Sequence, residues 1–122
     1  MNSEPTHSYF GTPLSEWISL IPNELEDDAV GLWQIIPTLR KAFGLEGAEL
    51  ERAIREALAK LLARGARPIF GVKGRGWELA TQYGDAPDAI IDAIIAEWHR
   101  MGRDPDFGDV WFALPSFYEN DD

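Results

Sequence analysis

Two histidines, a surplus of carboxylates and one basic glycine-rich run are the parts of this chain that could do chemistry. His7 stands in a polar leader with nothing local to fix its geometry. His99 follows Trp98 in a stretch of helical spacing, so it points from the core into solvent. Asp92 shares its helix face, but two residues do not make a metal site. Glu24, Glu26, Asp27 and Asp28 are close enough in sequence to suggest calcium. They lack the alternating acidic pattern and glycine that arrange oxygens around that ion. The run Gly71-Val72-Lys73-Gly74-Arg75-Gly76 has the look of a phosphate loop. Such a loop must open a helix whose N-terminus holds the anion, whereas this run joins one β-like stretch to another. No residue is assigned a catalytic, cofactor-binding or metal-binding role, and the chain is expected to bind rather than catalyse.

The acids have a second use. The 122 residues include 21 acids against 11 Lys and Arg, for a net charge of −10. That balance repels nucleic acid and anionic membranes and favours fast encounter with basic partners. It is distributed in blocks. Residues 1–39 carry six acids and no Lys or Arg, residues 40–75 nine bases and four acids, and residues 76–122 eleven acids and two bases. A basic middle between acidic ends means either internal pairing or a surface with two signs. The chain has no cysteine, which excludes disulfides, thiolate zinc sites and a cysteine nucleophile. Met1–Phe10 has no signal-peptide pattern and no apolar run is long enough to span a bilayer, so a cytoplasmic protein is expected.

The elements that must position these residues follow from periodicity. Residues 1–11 read as a flexible leader, 12–115 as a single globular domain and 116–122 as an acidic tail. Thr12 is expected to cap a short helix over Pro13–Ile21, with Pro13 in its first position. A second helix is expected from about Asp28 to Ile36, broken at Pro37, with one or two further turns to Phe43. Gly47–Arg64 is the strongest helix, with Leu50, Ile54, Leu58, Leu61 and Leu62 in one stripe. Arg67–Val72 and Trp77–Ala80 form a hairpin. Asp85 is expected to cap a helix that buries Ile90, Ile91, Ile94, Ile95 and Trp98 and stops at Gly102. Val110–Leu114 should join the hairpin as a third strand. The class is therefore α+β, with helices on a small antiparallel sheet of about three strands. Trp17, Trp33 and Trp98 are expected in the core.

Two resemblances bear on function. The helix ending in Leu61-Leu62-Ala63-Arg64-Gly65, followed by a strand, a glycine-rich turn and a strand with Trp77, resembles the helix and wing of a winged-helix domain over residues 28–80. That likeness implies a DNA-binding alternative in which Arg52, Arg55 and Lys60 on the helix, with Lys73 and Arg75 on the wing, face phosphates. The size, acidity, tryptophan content, acidic stretch Glu24–Asp28 and tail Glu119–Asp122 resemble the small bacterial immunity proteins of toxin–immunity systems. The segments Val30-Gly31-Leu32-Trp33-Gln34-Ile35 and Val110-Trp111-Phe112 are similar to ones in bacterial single-domain proteins of unassigned activity. The immunity likeness implies a monomer or homodimer that binds a basic, nuclease-like toxin. The expected partner-binding residues are Glu24, Glu26, Asp27, Asp28, Tyr118, Glu119, Asp121 and Asp122, where aromatic anchors ringed by carboxylates suit a basic surface.

Overall fold

The computed structural model describes residues 4–72, 76–106 and 108–119. Helix α1 spans Leu14–Leu20 and runs directly into a 3-10 turn over Ile21–Glu26. Thr12 does not cap it. Pro13 holds the cap position and offers no side-chain bond. The cap comes from the leader instead. Glu4 accepts the Ser15 backbone N–H at 2.6 Å and the Ser15 hydroxyl at 2.9 Å. A carboxylate suits a helix N-terminus because it meets both the free N–H groups and the positive end of the dipole. Ser8 N–H donates to the Ala42 carbonyl at 2.8 Å, which fastens the leader to the far end of the next helix.

The acidic stretch does not start that helix. It leaves the 3-10 turn through a bend at Asp28 and enters a two-residue strand, β1, Val30–Gly31. Helix α2 follows over Leu32–Lys41 and passes through Pro37 without stopping. A proline inside a helix costs about 3 kcal/mol. Ile36 and Leu39 on either side of it are fully buried, and each such burial contributes roughly 1.5–3 kcal/mol, so burial wins. At the entry, Gln34 Oε1 reaches back to accept the Gly31 N–H at 2.8 Å, which satisfies a donor at the helix start.

Helix α3, Gly47–Ala63, buries the expected stripe together with Ala53 and Ala57. It is the centre of the molecule, in contact with α1, α2 and α4. Strands β2, Arg67–Val72, and β3, Gly76–Leu79, form the expected hairpin, with Ile69 opposite Leu79 and Gly71 opposite Trp77. Helix α4 covers Pro87–Met101 with Ala86, not Asp85, at its cap. Asp85 instead offers its carbonyl to Arg67 Nη1 at 3.0 Å. Gly102 ends α4 at φ 68°, a left-handed conformation that a side chain would oppose. Strand β4, Trp111–Ala113, and a one-turn helix α5, Pro115–Tyr118, complete the chain.

The protein is α+β: among the described residues, five helices pack on one antiparallel sheet. The sheet has four strands rather than three, in the order β1-β4-β2-β3. The fourth is β1, whose two residues pair with Phe112 and Trp111. The sheet's two faces differ. Val30, Phe112 and Phe70 face the helices and join the main core. Ile69 and Ala113 face outward, together with Ala29, under Trp77, Trp111, Phe117 and Tyr118. No helix among the described residues is long and apolar enough to cross a membrane.

Candidate functional site

A groove of about 380 Å³ opens between α1 with its 3-10 turn and the start of α2. Trp17, Leu20, Ile21, Ala29, Val30 and Ile35 supply apolar wall, and Glu24, Asp28 and Gln34 line it as well. The local sequence explains the arrangement. The 3-10 turn carries Ile21, Pro22 and Leu25 inward, which throws Asn23, Glu24 and Glu26 outward. The bend before β1 leaves Asp27 and Asp28 exposed as well. The four acids expected from the sequence therefore share one exposed turn. Asp28 Oδ1 accepts the Ala29 N–H at 2.8 Å, which fixes its carboxylate in the groove lining.

Ion pairing takes up several carboxylates elsewhere. Arg40 binds Asp104 through two bonds of 2.9 Å. The guanidinium holds the Asp104 carboxyl below the usual carboxylate range. Arg55 binds Asp92 at 2.7 Å and Glu51 at 3.1 Å. His99 Nε2 lies 2.9 Å from Glu51 Oε1, and this bond, followed by the one from Arg55, holds Glu51 below its usual range. The basic middle is thus partly spent on the acidic C-terminal third and on its own Glu51. Among the described residues, no ion pair reaches Glu24, Glu26, Asp27 or Asp28. Their charge remains for the surroundings.

The proposed tail site is arranged differently from the expectation. Phe117 and Tyr118 fold back as α5 over the outer sheet face, where both are half-buried. Burial, then the neighbouring Glu119, pushes the Tyr118 hydroxyl above its usual range. Glu119 is exposed. Asp121 and Asp122 lie outside the described residues, so the tail and the Glu24–Asp28 turn are not shown to meet.

The DNA-binding alternative rests on α3 and the wing. Arg52 and Lys60 are exposed on α3, but Glu49 and Glu56 share that open face and Arg55 is held by two carboxylates. Lys73 and Arg75 lie outside the described residues. For chemistry, no group of three potential metal-ligating side chains occurs among the described residues. Tyr83 is buried and donates to Glu97 at 2.6 Å. Burial first, then that bond, raises its pKa far above the ordinary tyrosine value.

Two features escaped the sequence. One is the groove itself, with Trp17 partly buried in its wall and packed against the main core. The other is the leader. Residues 8–10 form a turn whose Tyr9 and Phe10 are 83% and 74% exposed. His7 Nδ1 accepts the N–H groups of both, at 3.1 and 3.2 Å. Adjacent aromatic residues in a leader were a visible signal, but the contacts that order them are not local. Trp33 is also half-exposed, whereas Trp98 is buried as expected.

No protein-family model, curated protein or solved structure matches the chain.

Proposed function

We propose that this protein is a binding protein for a basic protein partner, and that it acts as an immunity protein by covering the cationic surface of a toxin. The observation that carries this reading is the partly apolar groove lined by Glu24 and Asp28, on a turn whose four acids have no cationic partner among the described residues. Unpaired carboxylates raise the encounter rate with a cationic surface, and apolar walls supply contacts that hold once water leaves. The DNA-binding alternative is weaker, because Arg55 is already neutralised and the open face of α3 carries both signs.

The test is capture of the partner from the native cell with the intact protein and with a Glu24→Lys, Glu26→Lys, Asp27→Lys, Asp28→Lys variant as parallel baits. A strongly basic protein retained by the first and lost by the second, with both baits equally folded, is the expected result. Equal retention by both would sink the reading. A gel shift of duplex DNA at low salt that disappears in Arg52→Glu would favour the alternative.

A further inference from the structure

Three of the four exposed large apolar side chains among the described residues are Tyr9, Phe10 and Leu20, the last lining the groove. Scattered apolar residues at a surface are ordinary, but a contiguous set marks an interaction site. A chain of ring contacts links the tip to Trp17, which lines the groove with Leu20. Tyr9 meets Phe10 edge-on at a centroid distance of 4.9 Å, and Phe10 meets His7 at 4.9 Å. His7 then meets Phe43 at 5.4 Å, and Phe43 meets Trp17 in the groove wall at 5.4 Å. Phe43 is buried and forms the floor of this run, while His7 and Trp17 remain half-exposed.

The turn that carries the two rings is also held in place before any partner arrives. His7 ties its backbone from within, and the Ser8–Ala42 bond ties it to α2. An aromatic pair that is exposed yet already ordered loses little conformational entropy on binding, which suits an anchor. At the groove end, charge selects the ligand, because Glu24 and Asp28 line the groove.

We infer that the binding surface runs from the groove to the Tyr9–Phe10 tip, and that it takes an arginine-bearing apolar segment of the basic partner. An apolar side chain of that segment enters the groove beside Leu20 and Trp17. A guanidinium stacks on the Tyr9 or Phe10 ring, and further cations meet Glu24 and Asp28. A dozen extended residues span about 40 Å, which is enough to follow the four ring-to-ring steps. This inference rests on the groove reading above.

The probe is a synthetic peptide alternating leucine and arginine, titrated into the full-length protein and followed by amide NMR and calorimetry. Shifts at Tyr9, Phe10, Trp17, Leu20 and Asp28 are expected, with no binding when the leucines become serines. Tyr9→Ala with Phe10→Ala should weaken binding at least about tenfold, the scale of an anchor residue. Because both rings are exposed, that variant should melt with the parent, which separates lost contact from lost fold. Glu24→Lys with Asp28→Lys should weaken binding as well. If the charge reversal weakens binding and the tip variant does not, the tip inference is overturned and the groove reading stands. If the tip variant weakens binding and the charge reversal does not, the groove reading falls, and the continuous surface with it. Shifts confined to the outer sheet face would overturn both.

Discussion

The outer sheet face and the Tyr9–Trp17 surface both carry runs of aromatic rings, yet they use them in opposite ways. At the sheet face, Trp33 of α2, Trp111 and Trp77 of the sheet, and Phe117 of α5 meet in that order at centroid distances of 6.0, 5.4 and 5.7 Å. Each ring covers its neighbour, and α5 covers the end of the row, so no ring there is left largely exposed. The face behaves as a small second core over Ile69 and Ala113. On the leader, Tyr9 and Phe10 touch each other and His7 and leave most of their surface in water. The difference shows that aromatic content alone does not mark a binding site. What distinguishes the tip is order without cover.

If the comparison is right, stability and binding separate under mutation. The largest stability effect is expected for Trp111→Ala, which removes the ring that links Trp33 to Trp77. Core tryptophan truncations cost about 3–5 kcal/mol, and half-burial places this one near about 3 kcal/mol in urea unfolding. Gly31→Ala comes next. A Cβ at Gly31 would stand 2.4 Å from Trp33 Cδ1 and 3.2 Å from Trp111 Cδ2, so the row must shift, at about 1–3 kcal/mol. A melting temperature unchanged by Gly31→Ala would show that the rings are loosely held and would blur the contrast.

Smaller still is the effect of acid on the Arg40–Asp104 pair. The folded-state pKa of Asp104 is depressed by Arg40, so the pair's contribution is present above the ordinary aspartate pKa. It is lost as pH falls through the lower folded value. Asp104→Asn should remove that acid-side dependence below about pH 4 and cost about 1 kcal/mol or less at neutral pH. Last, Phe10→Ala should change stability by less than about 0.5 kcal/mol, as exposed substitutions do. A Phe10→Ala loss on the scale of Trp111→Ala would place the tip in the core and break the comparison.

Much of the scaffold was legible in the sequence and much of the site was not. The α3 stripe, the hairpin and the Ile90–Trp98 face repeat with a local period, and local periods survive folding. β1 has two residues, too few for any period, and its partner Phe112 lies most of the chain away. Pro37 argued for a break that the burial of Ile36 and Leu39 overrides. The acidic turn was visible as composition, but its groove needs Trp17 and Ile35 from two helices. The leader read as loose because its fasteners, Glu4 to Ser15 and Ser8 to Ala42, join residues that no local pattern connects.

The proposed function turns on the Glu24–Asp28 turn meeting a cationic protein. The measurement that tests it most directly is the association rate with the captured partner, followed across ionic strength by stopped-flow fluorescence. The rate should fall steeply as salt screens the carboxylates. Glu24→Lys with Asp28→Lys should lower the rate at low salt and flatten its salt dependence. A rate indifferent to both salt and those substitutions would contradict it.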